Sequence, residues 1–330
     1  MEAFEYIRTP NVAEAIAIVT ADPSASYLAG GTTQVDLMRD GVLTPKRLID
    51  LTRLPLRGIG HQGETVRIGA LTTMEELAAD ATIGARAPVI REALLLGAST
   101  QLRNMATIGG NLLQRTRCRY FRDPSCLCNK RERGAGCAAR DGHHRMHAIL
   151  GASDQCFATH GSDLAVALIA LDAIVRVQGI EGERAIPLTA FYRLPGETPD
   201  IENELAHGDL IVSIDVPLPP AGARSHYLKV RDRASYEFAL ASAAVIVTIA
   251  DGIIREGRIG LGGVATIPWR AVKAEAVLAG APVRAETLRA AAEAALEGAA
   301  PRRDNAFKTE LAKRTLIRAL ATATESAHTS

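Results

Sequence analysis

All five cysteines of this chain stand between Cys118 and Cys156, at positions 118, 126, 128, 137 and 156. A chain of 330 residues, 47% of them apolar, can bury more than one core without covalent staples, so the confinement asks for a local cause. Disulfides are disfavoured by the odd count. Structural zinc sites usually present closely paired ligands, whereas the intervals here are 7, 1, 8 and 18 residues. That leaves an iron–sulfur cluster or inert thiols. Four thiolates hold a 4Fe-4S centre, and the glycines at 134, 136, 142 and 151 suit an irregular loop wrapped around one.

The same segment concentrates charge. Nine basic residues (Arg115, Arg117, Arg119, Arg122, Lys130, Arg131, Arg133, Arg140 and Arg145) face three acids (Asp123, Glu132 and Asp141). Residues 115–145 therefore carry +6, leaving −5 on the remainder of a chain whose net charge is +1. Such a patch points to phosphates or an acidic partner. With Tyr120 and Phe121 as its only aromatics, it is poorly equipped to stack nucleic-acid bases. His143, His144 and His147 have no acid at metal-site spacing and read as surface-loop residues, with metal ligation the lesser alternative.

Elsewhere the chain alternates helical and extended patterns. Asn11 is placed to cap a helix through VAEAIAIVTAD, SYLAGG reads as a strand running into a turn, and TQVDLMRDG reads as a short helix stopped by Gly41. RLIDL is a second strand. Helices are expected from Thr73 through EELAAD, over APVIREALLLGA and over GSDLAVALIALDA; AIVRVQGIEGERAIPL reads as a hairpin. After VPLPPAGARS come three strand patterns and two or three Ala-rich helices. No apolar run reaches the roughly 18 residues of a spanning helix. The N-terminal stretch lacks a positively charged start and a cleavage site, so no export signal is expected in this chain.

Gly58-Ile-Gly60-His-Gln-Gly63 matches the dinucleotide pattern GxGxxG, but ETVRIGA after it is strand-like where a helix is required. It reads as a hairpin turn. Two other loops are better placed to let backbone N–H groups approach a phosphate: Ala29-Gly30-Gly31-Thr32-Thr33-Gln34 and Thr107-Ile108-Gly109-Gly110-Asn111. Either alone reads more simply as a tight turn; the two together favour a phosphate site.

These loops, with the THGSD segment at 159–163 and YLKVRDRASYEFALASAAV, resemble the FAD-binding medium subunit of molybdenum hydroxylases, the xanthine dehydrogenase and carbon monoxide dehydrogenase group. The resemblance covers nearly the whole chain and implies an α+β fold. It implies a two-lobed PCMH-type FAD-binding domain over 1–222, carrying a cysteine-rich insert at 115–157, and a smaller C-terminal domain over 223–330 with a three-stranded sheet plus helices. It further implies that residues Ala29 to Gln34 and Thr107 to Asn111 hold the FAD pyrophosphate, with Asp163 near the ribose or flavin and Lys229 near the flavin. Thr32 departs from the subgroup that carries a histidine after its double glycine.

One branch, the periplasmic aldehyde oxidoreductase type, has a similar insert (RCxYFRD, PCNKR, GxGCAA and a later QC-ATH) that binds a 4Fe-4S cluster. The likeness implies Cys118, Cys128, Cys137 and Cys156 as ligands. Cys126 has no counterpart: it is a spare thiol, or it competes with Cys128. The implied role is an electron-transfer subunit of a heterotrimeric aldehyde oxidoreductase. Its partners would be a molybdenum-cofactor large subunit, a 2Fe-2S small subunit and an external acceptor, with no residue of this chain catalytic on the organic substrate. Its location would be the periplasm by co-export with a partner, or the cytoplasm. Two rivals remain at this stage, a self-sufficient FAD-dependent oxidase or dehydrogenase and a zinc-holding nucleic-acid scaffold.

Overall fold

The computed structural model describes residues 1–325. Three sheets follow one another along the chain. The first is parallel, with strands β1 (Glu5–Arg8), β2 (Ala25–Leu28) and β3 (Arg47–Asp50) in the order β1-β3-β2. Parallel neighbours need a crossover; helices α1 (Val12–Ala21) and α2 (Gln34–Arg39) provide it. Asn11 caps α1 as expected, its side chain accepting from the Glu14 N–H at 2.7 Å. Ala15, Ile16 and Val19 then turn onto Ile49 and Leu51.

The second sheet is antiparallel: β4 (Ile59–Gln62), β5 (Thr65–Gly69), β6 (Ile174–Gly179), β7 (Gly182–Pro187) and β8 (Leu210–Pro217), ordered β4-β5-β8-β6-β7. The GxGxxG stretch runs through the β4–β5 hairpin, with Gly63 at φ +60° in its turn, so no helix follows to face a pyrophosphate. Between β5 and β6 lie α3 (Met74–Ala79), α4 (Ala81–Arg86), α5 (Pro88–Leu96), α6 (Thr100–Arg103), α7 (Ile108–Leu112), α8 (Arg119–Arg122) and α9 (Asp163–Ala170); α10 (Leu188–Phe191) follows β7. Thr73 and Glu76 form a reciprocal capping box on α3.

The third sheet joins β9 (Arg224–Val230), β10 (Ala241–Ala250), β11 (Ile253–Gly262) and β12 (Trp269–Arg270) in the order β12-β11-β10-β9. The three expected strands thus gain a two-residue edge strand, too short to leave a pattern in the sequence. Helices α11 (Val272–Leu278), α12 (Ala285–Ala295) and α13 (Phe307–Glu325) complete this part. Val245, Ile246 and Val247 of β10 are at most 4% exposed, and each such burial contributes about 1.5–3 kcal/mol. α9 is buried from Leu164 to Ala170 and packs on α5, β10 and β11. A Cβ at Gly260 or Gly262 would overlap Val166, so glycine is what lets the helix lie against β11. The N-terminus of α9 is thereby fixed where the second and third sheets meet.

Candidate functional site

The two glycine-rich loops meet in space. A Cβ on Gly30 would overlap the carbonyl oxygen of Met105, so the turn after β2 lies directly on the segment that enters the second loop. Gly31 adopts φ +72°, a left-handed value that glycine tolerates. In the second loop the Thr107 hydroxyl accepts from the Gly110 N–H at 3.3 Å, and a Cβ on Gly109 would lie 3.0 Å from that of Ala70. Thr32, Thr33, Gly110 and Asn111 line a cleft of about 300 Å³. The other loop residues support them: Ile108 is fully buried, Ala29 packs against the first core, and the Gln34 amide donates to Ser26.

Asp163 and Lys229 line the same cleft and pair with each other at 2.7 Å. Their side chains are only 11% and 1% exposed. Lys229 also donates to the Leu96 carbonyl, at 3.1 Å, and the Tyr227 hydroxyl donates to Asp163 at 2.6 Å. Burial, then the Asp163 carboxylate, hold the Tyr227 hydroxyl well above its ordinary range, so it remains a donor. The helix cap is Ser162, whose Oγ accepts from the Ala165 N–H at 2.9 Å and donates to Asn111 Oδ1 at 2.5 Å. One hydroxyl thus ties the second loop to α9.

A second chamber of about 530 Å³ adjoins the first and shares Arg117, Gly161, Asp163, Glu237 and Phe238 with it. Arg117 lies 5.0 Å over the Phe238 ring and bonds Asp36 at 2.8 Å, while its Nε has no partner. The two chambers share one wall, and residues of the two glycine loops line the smaller of them.

Four cysteines converge on a separate small cavity lined by Cys118, Cys128, Cys137 and Cys156 together with Phe121, Phe157 and Ala139. Cys128 and Cys137 sit on an isolated antiparallel bridge. Cys126 does not line the cavity. Burial pushes the Cys118 thiol up to about 12, and its neighbours Cys156 and Cys128 add to the shift, against backbone N–H bonds from Phe121 and Tyr120. Burial also raises Cys137 and Cys156, and the Ala158 N–H donates to the Cys156 sulfur at 3.5 Å. Backbone donors aimed at sulfur are what a thiolate requires. Among the described residues no three such groups close on one point as a single ion needs; a cubane makes no such demand, because each thiolate meets a different iron.

Residues 2–219 match the family described as the FAD binding domain in molybdopterin dehydrogenase, and residues 226–323 the CO dehydrogenase flavoprotein C-terminal domain. The chain is 48% identical over 326 residues to the aldehyde oxidoreductase FAD-binding subunit PaoB of Escherichia coli K12, covering 98% of this chain and 99% of that one. It belongs to the FAD-binding medium subunits of molybdenum hydroxylases. The carbon monoxide dehydrogenase medium chain of Hydrogenophaga pseudoflava is 30% identical over 323 residues, 96% of each chain. The solved structure of reconstituted CO dehydrogenase from Oligotropha carboxidovorans superposes with TM-score 0.79 at 29% identity, over 99% of each chain. As in these relatives, the medium subunit is part of an oxidoreductase, and its α+β architecture is the one expected.

The medium subunit corrects the reading of the histidines. His144 and His147 are 4% and 5% exposed, and only His143 lies at the surface. His144 faces Asp304 at 3.3 Å, and His147 Nε2 lies 3.2 Å from Cys118 Sγ. Their partners are far away in sequence, so HHRMH alone could not reveal the burial. The basic patch is also largely spent within the fold. Arg115 and Lys130 share Glu202, Arg117 and Arg122 share Asp36, Arg133 bonds Asp200 and Arg145 bonds Asp232. Arg117 and Phe238 line both chambers; the first was legible only as one of nine basic residues and the second only as part of the 227–245 segment. No helix of the described residues is long and apolar enough to cross a membrane.

Proposed function

We propose that this medium subunit carries both FAD and a 4Fe-4S cluster, and serves as the electron-transfer subunit of a heterotrimeric molybdenum aldehyde oxidoreductase. The observation that carries the reading is the cavity ringed by Cys118, Cys128, Cys137 and Cys156 from which Cys126 is excluded. The 48% likeness to an aldehyde oxidoreductase subunit supports the substrate class. Ala29 to Gln34 and Thr107 to Asn111 would hold the FAD pyrophosphate through backbone N–H groups, and the Asp163–Lys229 pair would flank the flavin end. The division at residues 222 and 223, with the cysteine insert at 115–157 in the first domain, belongs to the same reading.

FAD, when bound, accepts electrons singly and releases them in pairs, which suits a chain placed between one-electron centres and an external acceptor. The chain's own residues position it. Ser162 locks Asn111 to α9, Lys229 neutralises Asp163 in a buried wall, and Arg117 lines both chambers of the cleft. Substrate oxidation would belong to a molybdenum-bearing large subunit, reached through a 2Fe-2S small subunit. The Cys118, Cys137 and Cys156 thiols, held high by burial, would shed protons as iron binds.

The test is absorption spectroscopy with iron and acid-labile sulfide analysis on the full chain purified without oxygen. Flavin bands with about four irons per chain are expected, retained in Cys126→Ser and lost in Cys128→Ser. Flavin without iron in the unaltered chain would refute the cluster, and turnover of aldehyde by the chain alone would refute the role as an electron-transfer subunit.

A further inference from the structure

Cys118 and His147 line both the thiol cavity and the larger chamber of the cofactor cleft. They are the partition between the two. His147 Nε2 is 3.2 Å from Cys118 Sγ, within hydrogen-bonding reach for sulfur. His147 is held at both its ring and its backbone. Its ring stands 5.0 Å from Phe157 and 6.3 Å from Tyr120. Its carbonyl accepts from the fully buried Lys308 ammonium at 3.0 Å and from Asn305 Nδ2 at 3.2 Å, both contributed by the chain around the start of α13. These bonds fix the backbone that carries the ring, while the two aromatic neighbours flank the imidazole beside the sulfur.

Its tautomer follows from the other nitrogen. Nδ1 is buried without a partner. Placing the proton on Nδ1 would leave an orphaned N–H, which interiors tolerate poorly; placing it on Nε2 aims a donor at Sγ. A ligated thiolate gains from that donor, and gains more when the cluster carries the extra electron.

We propose that His147 is a positioning residue for the cluster, donating Nε2–H to Cys118 Sγ and thereby setting the reduction potential of the centre at the face nearest the cofactor cleft. The proposal rests on the 4Fe-4S reading above. Its sign is fixed: the bond favours the reduced form, so removing it lowers the potential.

The experiment is an EPR-monitored redox titration, with iron and sulfide analysis, of the full chain and its His147→Leu and His147→Gln variants. With iron retained, H147L should hold about tenfold less reduced cluster at a given potential, a shift of about 59 mV for one electron. H147Q, which keeps an N–H donor, should recover part of it. An unchanged potential in H147L with full iron overturns the proposal. Iron missing from the unaltered chain overturns the cluster itself, a different signature. Should H147L fail to assemble, the unaltered chain labelled with ¹⁵N-histidine answers the question: the reduced cluster must show nitrogen hyperfine coupling, and its absence overturns the hydrogen bond.

Discussion

Replacing Lys229 with methionine keeps the length of the side chain and removes its charge. In the folded chain that ammonium is 1% exposed and meets Asp163 at 2.7 Å, with Asp163 itself 11% exposed. Stripping one partner from so buried a pair leaves a carboxylate with only the Tyr227 hydroxyl as donor from this group, and such losses cost about 3–5 kcal/mol. With a slope of about 3 kcal/mol per molar urea, the unfolding midpoint should fall by about 1–1.7 M. The measurement is urea unfolding of the FAD-depleted chain, followed by circular dichroism, so that lost cofactor does not masquerade as lost stability. Asp163→Asn should cost less, and the double variant should be more stable than the sum of the single losses allows, by about 2 kcal/mol. A K229M midpoint within about 0.3 M of the parent, or strict additivity of the two substitutions, would refute the view that this pair is a self-neutralising wall.

Gly30→Ala would force the two glycine loops apart at Met105, so FAD stoichiometry should drop sharply, whereas Gly134→Ala, with open space around a positive φ, should lose only about 1 kcal/mol and no flavin. Burial alone would raise the Asp50 carboxyl, but bonds from Tyr6, Thr52 and Arg8 outweigh it and hold the group at about 2. Stability from this group is therefore present above pH 4 and lost as pH falls toward 2. Asp50→Asn should remove about 2 kcal/mol at neutral pH and only a small part of that at pH 2, read from unfolding midpoints at each pH. Burial, and then Arg145, bring Lys308 down to about 7, so the unfolded chain binds the extra proton between pH 7 and 10.5 and stability should rise across that window; Lys308→Met should flatten the rise.

Local signals were legible wherever the chain answers to its own neighbours. The Thr73 capping box, the Asn11 cap, the Gly63 turn and the apolar run of β10 are each written within a few residues. The loops Ala29–Gln34 and Thr107–Asn111 were legible as candidates because double glycines are conspicuous, yet only the packing of Gly30 on Met105 brings them together. What the sequence hid is long-range. Lys229 reads as a surface strand charge until Asp163, 66 residues away, is set against it. His147 is buried by Phe157 and by the start of α13, about 160 residues on. The cationic patch looked available because its acids, Asp36, Asp200, Glu202 and Asp232, lie outside the segment.

The seat of α9 on Gly260 and Gly262 also bears on how a cofactor could enter or leave. Two sheets that meet across long side chains can slide as rotamers change; a helix set into a notch of bare backbone has no such bearing to turn on. The cleft width is then a fixed dimension of the molecule, like the gauge of a track, and exchange of its contents must proceed by opening the loops at its ends rather than by parting its walls.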